Sequence, residues 1–456
     1  LDSFQLAENQ LTIDFQKIHF ARQQGGNRPF RPFPTDNAAK IFFRMPIAFH
    51  KMVCTSRPCW FLFYQKQLPE NRNANDSHVE NIRSIRYTEI NRPKYSGTEV
   101  MYNVQPMAMS QSAAFHVPER MLFQWHVTDR CNLHCSHCYQ DDTCHSDLRW
   151  NELLTILEQM RSFVGWCRDR NNGHPFRAHV TVTGGEPFVR DDFIPLLERL
   201  SAERHCFSLA ILTNGTPLTP AVVHSLKKVK PGFVQVSIDG SRETHDRIRG
   251  EGSYDRAVGG LKYLVNAGIP AYISFTAHRG NYRDFPAVAR LGRQIGVTRV
   301  WADRMVPCGR GGEAAENLLT PAETREFFEL MLNERKTGWL KHTQIKLHRS
   351  LQFMVTGDFP YRCSAGDTLV TILSNGDVCP CRRMPLVVGN IFQESLVHLY
   401  GNSELFIGLR DRERMSQGCE KCFYARTCVG GSRCMAYALT GDPYRADPGC
   451  WLATSG

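Results

Sequence analysis

Six short apolar runs punctuate the middle of the chain, at residues 121–128, 179–183, 207–213, 233–238, 271–277 and 297–302. Their brevity and their Val and Ile content predict strands. Between them, 192–202, 222–229 and 253–267 carry apolar residues on one face and are predicted amphipathic helices. The second starts with Thr219 as N-cap and Pro220 at the first helical position. Strands apolar on both faces, alternating with helices, predict an α/β fold: a parallel sheet covered by helices, either open or closed into a barrel. Thr320-Pro321-Ala322-Glu323 is a capping box that opens a helix running to about Lys336. After Cys363 the pattern breaks into short strands, turns such as Ser374-Asn375-Gly376-Asp377, and cysteines. A small α+β region of that kind is expected to be held by metal rather than by a large core.

Residues 1–118 lack this regularity. They contain Gln/Asn/Arg-rich stretches, Pro29, Pro32 and Pro34, and a polar segment over 71–81, with strongly apolar sequence only at 40–49 and 59–64. Two readings are open: a region outside the working protein, partly disordered by composition, or a peptide-binding domain.

The 456 residues suffice for two or three domains, and 42% apolar with 22% charged residues suits a globular protein. No run approaches the roughly 18 apolar residues of a membrane span, and no basic-then-apolar leader opens the chain; a cytoplasmic location without membrane attachment is expected. The net charge of +10 is scattered, without a basic run interleaved with aromatics. Nucleic acid is therefore not an expected partner, whereas an anionic substrate fits. Seventeen cysteines are many for a chain with no export signal. Three lie at 131–138 and eight after residue 360, a clustering that suits metal ligands better than disulfides.

Cys131, Cys135 and Cys138 form a C-x3-C-x2-C triplet directly after the first predicted strand. Three thiolates can hold three corners of an iron–sulfur cube and leave one iron open to a small molecule. A structural zinc, with Cys144 or His134 as fourth ligand, is the competing reading. Thr183-Gly184-Gly185-Glu186-Pro187 ends the second strand. Its glycines admit a close approach to the backbone, and its carbonyls and Glu186 can accept hydrogen bonds from an ammonium group.

Together, these two motifs resemble the radical S-adenosylmethionine (SAM) superfamily, over residues from about 120 to the end. The resemblance implies a partial (β/α)6 barrel in which Cys131, Cys135 and Cys138 hold a [4Fe–4S] cluster. The amino and carboxylate groups of SAM would chelate the remaining iron, with Gly184, Gly185, Glu186 and Pro187 holding the amino group. Asn214, Ser237, Asp239 and Arg249, at later strand ends, would meet the ribose and carboxylate, and Arg304 would reach substrate or the SAM carboxylate. One electron, from a flavodoxin- or ferredoxin-type donor, would break the C5′–S bond, and the 5′-deoxyadenosyl radical would remove hydrogen from a substrate.

The later cysteines are similar to the SPASM extension, which carries one or two auxiliary [4Fe–4S] clusters. That likeness assigns Cys419, Cys422, Cys428 and Cys450 to an outer cluster, and Cys363 and Cys381 to an inner one. The inner set departs from the pattern. Relatives place a cysteine after the Gly-Gly pair, but here Gly430-Gly431 is followed by Ser432, leaving Cys434, Cys379 or an open iron. Four-cysteine zinc remains the alternative. The implied organisation is an uncertain region at 1–118, a barrel at 119–318, a helical connector at 319–362 and the auxiliary-cluster domain at 363–456.

SPASM relatives mostly modify peptides and proteins, so a peptide or protein maturase is the expected activity. Arg382 and Arg383 follow Cys381, where sulfatase-maturing relatives carry a catalytic aspartate, which weighs against formylglycine formation. Residues 430–442 also resemble relatives that trim haem side chains, so modification of a porphyrin precursor is the alternative. Outside enzymes, an iron–sulfur electron carrier would leave the G-G-E-P turn unexplained.

Overall fold

The computed structural model describes residues 116–453 apart from 141–144, 172–173, 313–314 and 338–341, together with a two-residue antiparallel pairing of Cys54–Thr55 with Trp60–Phe61. The expectations for 1–118, and Cys144 as a zinc ligand, thus lie almost wholly outside the described residues. The chain divides between Tyr102 and Asn103, and the barrel and the cysteine-rich region both lie in the second part.

The frame of this second part is a β/α alternation: β1 (Met121–His126), α1 (Trp150–Arg170), β2 (Ala178–Thr183), α2 (Phe193–Ala202), β3 (Phe207–Thr213), α3 (Pro220–Val229), β4 (Phe233–Ser237), α4 (Arg242–Arg249), α5 (Ser253–Asn266), β5 (Ala271–Ala277), α6 (Phe285–Ile295) and β6 (Arg299–Arg304). These six strands pair in parallel in sequence order, as a partial (β/α)6 barrel does. Beyond α7 (Pro321–Thr337), β7 (Gln344–Lys346) adds in parallel to β6. At the other edge, β8 (Leu369–Ile372) pairs in parallel with β1, followed by antiparallel β9 (Asp377–Cys379) and β10 (Gly389–Asn390). The cysteine-rich region therefore begins as a continuation of the barrel's own sheet.

The strands are not apolar on both faces in the sense expected. Phe123, Trp125, Val180, Val182, Val234, Val236, Ile273 and Val300 point to the helices and are fully buried. Each such side chain contributes about 1.5–3 kcal/mol of burial. The alternate positions Leu122, Gln124, Thr181, Gln235, Ser237, Ser274 and Asp303 face a cavity. This period of two is what lets a covered parallel sheet also enclose a polar site. The sixth strand starts two residues later than expected, because Gly296 takes a left-handed conformation (φ 84°) to end α6 and Val297 still donates to the Gly292 carbonyl.

Candidate active site

A cavity of about 330 Å3 opens at the C-terminal ends of the barrel strands. Cys131, Cys135, Cys138, Gly184, Gly185, Asn214, Ser237 and Arg249 all line it, on four different strand-end loops. Ligand sites of α/β folds lie at this edge.

The cysteine loop is fixed by backbone contacts. Gly185 N donates to Thr128 O (2.8 Å) and Glu186 N to Arg130 O (2.9 Å). A Cβ on Gly184 would collide with the Thr128 carbonyl, and one on Gly185 with the carbonyls of Asp129 and Arg130. The Gly-Gly pair thus serves the approach of the cysteine loop as well as presenting backbone to the cavity. Arg190, 6% exposed, holds the same loop from behind by donating to Val127 O (3.0 Å) and Leu148 O (2.9 Å).

Three expected contact residues sit behind the wall rather than on it. Glu186 is fully buried and does not line the cavity; Thr213 Oγ1 (2.8 and 2.9 Å), Asn214 N (2.7 Å) and Phe188 N (3.2 Å) donate to its carboxylate. Burial outweighs these bonds and pushes its pKa up to about 7. Glu186 therefore joins the second strand end to the third, and Pro187 likewise stays off the wall, opening a single turn Pro187–Val189. Asp239 is also fully buried. It pairs with Arg249 Nε (2.5 Å), lies 3.2 Å from His137 Nε2, and accepts from Thr276 N (2.8 Å). Although burial opposes ionisation, Arg249 and His137 hold its carboxyl well below the usual range. Asp239 is thus a positioning group: it aims Arg249, whose Nη1 lies 3.7 Å from Cys135 Sγ. Asn214 Nδ2 stands 3.9 Å from Cys131 Sγ. Hydrogen bonds to ligating sulfurs tune a cluster's potential.

Arg304, at the end of the sixth strand, lines the cavity. It is 4% exposed, and Asp447 takes its guanidinium in a bidentate pair (2.9 and 2.5 Å). Asp447 also accepts from Ser432 N and Gly449 N, each at 2.9 Å. The pair ties the sixth strand to the C-terminal domain and occupies both terminal nitrogens, while Nε keeps no hydrogen-bond partner among the described residues.

The thiols fit a cluster better than zinc. Tetrahedral zinc, at about 2.3 Å per sulfur, would gather its sulfurs to about 3.8 Å of one another. Among the described residues the one His/Cys/carboxylate trio within 4.8 Å is Glu203, His205 and Cys206, and Glu203 is already paired with Arg199. The cysteine sets are spread wider, as the corners of a larger inorganic unit require. His134 is not free to serve zinc, since Arg310 Nη1 lies 2.8 Å from its Nδ1. Burial pushes Cys131 up to about 11, so ligation there releases a proton.

Cys419, Cys422, Cys428 and Cys450 line one small apolar cavity of about 20 Å3, which brings together the outer set. Cys381 and Cys434 share a second buried cluster, with Cys363 packed against it. Cys379 is fully buried on β9, its Sγ 3.7 Å from the Cys381 carbonyl, and is not in that cluster. Cys308, which motif spacing does not single out, does pack there.

Comparison with known proteins finds two families along the chain. The family described as the radical SAM superfamily matches residues 125–292, and an iron–sulfur cluster-binding domain, SPASM, matches 363–423. The mycofactocin maturase MftC of Mycolicibacterium smegmatis is 30% identical over 355 residues, 72% of this chain and 81% of that protein. The chain belongs to the radical SAM superfamily. It is accordingly an enzyme with capacity for SAM and iron–sulfur clusters, acting through SAM cleavage and radical chemistry. An AdoMet-dependent heme synthase of Methanosarcina barkeri is 29% identical over 354 residues, covering 72% of this chain and 95% of that protein. A pre-heme d1 synthase of Dinoroseobacter shibae is 28% identical over 359 residues (73% and 86%). Among solved structures, Streptococcus suis SuiB bound to S-adenosylmethionine superimposes with a TM-score of 0.58 at 19% identity (73% and 77%), and anSMEcpe with bound AdoMet with 0.59 at 17% (73% and 90%), which supports the fold. Among the described residues, no helix is long and apolar enough to cross a membrane.

Proposed function

We propose that this radical SAM enzyme acts on a porphyrin or haem precursor, removing a hydrogen atom from one of its carboxylate-bearing side chains. This replaces the peptide as the leading substrate class. The observation that carries the reading is an excess of guanidinium charge on the cavity wall. Arg349 and Arg383 share the single carboxylate of Asp303, at 4.0 and 2.9 Å. Arg382 lines the same wall, lies over the Tyr139 ring (5.7 Å to its centroid), and makes no ion pair among the described residues. Beside them Trp301 offers a flat face, already covered on one side by Arg349 at 4.4 Å. Guanidiniums around an apolar, aromatic floor suit a macrocycle with several carboxylates. The likeness to heme-related synthases supports the same class.

Cys131, Cys135 and Cys138 would hold the SAM-binding cluster, and Gly184, Gly185, Asn214, Ser237 and Arg249 would face SAM. When bound, cluster and SAM supply one electron and a 5′-deoxyadenosyl radical for hydrogen abstraction. The chain's own part is positional. Arg382, Arg383 and Arg349 orient carboxylates, Asp239 fixes Arg249, and the strand-end loops exclude water. The auxiliary cysteines would place one or two further clusters beside the wall at Cys381.

The test supplies reconstituted enzyme with dithionite, SAM and an iron porphyrin bearing propionates. The abstracted hydrogen would go to 5′-deoxyadenosine, the carboxylate would leave as CO2, and the remaining electron would pass to an auxiliary cluster; a porphyrin product lighter by one carboxyl group and one hydrogen, formed with 5′-deoxyadenosine, is expected. Arg382→Gln should raise the half-saturating porphyrin concentration by at least about tenfold, since a charged hydrogen bond is worth about 1.5–3 kcal/mol. An unchanged porphyrin, with turnover of a carboxylate-bearing peptide instead, would return the enzyme to the peptide maturases.

A further inference from the structure

We propose that Cys308 is the fourth protein ligand of the inner auxiliary cluster, beside Cys363, Cys381 and Cys434, so that barrel and C-terminal domain hold this cluster jointly. The inference rests on the reading of the C-terminal domain as cluster-binding, and it fills the place left by Ser432. Three observations carry it. Cys381 and Cys434 lie in one buried cluster with Val306, and Cys308 and Cys363 both pack against it. Cys379, the other candidate, is fully buried on β9 and is absent from that cluster. Finally, the Cys308 loop is placed by backbone contacts rather than chance. Gly311 N donates to Cys138 O (2.8 Å) and Arg310 N to Gln140 O (3.1 Å). Gly309 has φ 57°, with no room for a Cβ against the Tyr139–Gln140 peptide.

Cys308 does not line the main cavity, so it is not placed to touch substrate. Its thiol is half-buried and has neighbours of its own kind in Cys381 and Cys138. Four cysteines would leave the inner cluster no open iron. Such a cluster passes electrons to or from the substrate and does not bind it. The loop that carries Cys308 is the one hydrogen-bonded to Cys138, so loading the inner cluster would also stiffen the SAM-cluster loop.

The test uses the full chain, reconstituted anaerobically, in a Cys131→Ala/Cys135→Ala/Cys138→Ala background that removes the SAM-binding cluster. After mild oxidation, electron paramagnetic resonance should show no three-iron signal in that background. Adding Cys308→Ala should produce one, with loss of about one iron per chain; adding Cys379→Ala should change neither. A full three-iron signal with Cys308 intact, or no effect of Cys308→Ala where Cys363→Ala removes the cluster, would overturn the assignment while keeping the domain's reading. No loss of iron with either variant would reject the inner cluster itself. Without any substitution, iodoacetamide should label Cys308 only after a chelator strips the iron, and equal labelling before and after would also refute the proposal.

Discussion

Replacing Gly185 by Ala tests whether the Gly-Gly turn serves the cysteine loop. The new Cβ would fall 2.6 Å from Asp129 O and 2.7 Å from the Arg130 carbonyl carbon, and nearer still to the Arg130 oxygen, where ordinary contact begins at 3.4 Å. These are backbone atoms, so the loop must retreat by about 0.8 Å or more. Overpacking of this kind costs about 1–3 kcal/mol. The retreat also breaks Gly185 N to Thr128 O and Glu186 N to Arg130 O. Each bond is worth about 1 kcal/mol, more if the amide stays buried and unpaired. The sum, about 3–5 kcal/mol, falls on a loop carrying three ligands whose distances tolerate only about 0.2 Å. Gly185→Ala should therefore lose the SAM-binding cluster and with it 5′-deoxyadenosine formation, while keeping the outer cluster's iron. Gly259→Ala is the control. That position lies in α5 with nothing within 4 Å of a Cβ, and alanine there should stabilise by about 0.5–1 kcal/mol. Iron and sulfide content after anaerobic reconstitution is the assay. A Gly185→Ala protein that loads and cleaves SAM like the parent would refute the account of the turn.

Two further substitutions probe buried charges. Asp447→Asn leaves the Arg304 guanidinium buried without a counter-charge and sets an amide against donors at Ser432 N and Gly449 N. A loss of about 3–5 kcal/mol is expected, read as a lower urea midpoint and easier loss of iron by the outer set next to it; an unchanged midpoint would show the pair to be dispensable. Glu186, raised from 4.5 to about 7, binds its proton more tightly folded than unfolded. Its stabilising contribution is complete below pH 4.5 and is lost as pH rises through 7, a span of about 3 kcal/mol. Without added SAM, Glu186→Gln should flatten the fall of the unfolding midpoint across that window; a parent midpoint that rises there would contradict the assigned direction.

The barrel is legible in the sequence because its helix-facing positions are relentlessly apolar: Phe123, Trp125, Val180, Val182 and Ile273 make runs that survive any window. The cavity-facing alternation is not. Leu122, Thr181 and Ser274 look like ordinary strand residues until the sheet curves around them. Helix α1 escapes a strand-led reading although Leu153, Ile156, Leu157, Met160, Phe163, Val164 and Cys167 repeat at helical spacing, because a search for short apolar runs does not test that period. Helix α4 is harder, since only Thr244, His245 and Ile248 are buried in a mostly charged segment. At the site, residue types name the chemistry but not the direction of each side chain. Glu186 folds back on Thr213 and Asn214, and Arg304 turns to a partner 143 positions along the chain. Cys308 stands alone in its segment, so no spacing rule could attach it to cysteines more than fifty residues later.

The C-terminal domain is joined to the barrel by a strand ladder and by a buried ion pair rather than simply appended to it. Its first strand, Leu369–Ile372, pairs along Met121–His126, the strand that delivers the cysteine triplet. On the far side of the cavity, Arg304 locks the end of the sixth strand to Asp447, beside Cys450 in the outer cavity. Between those joints, Cys381, Arg382 and Arg383 reach the cavity wall that Cys138 and Met305 also form. Separations between the cysteine sets are therefore set by ladder hydrogen bonds and a buried ion pair, which deform little. A substrate radical has to exchange its electron before it reacts elsewhere. Rigid placement of the auxiliary thiols against the triplet is what a fold must provide for that, and the arginines on the shared wall decide which anion is held there.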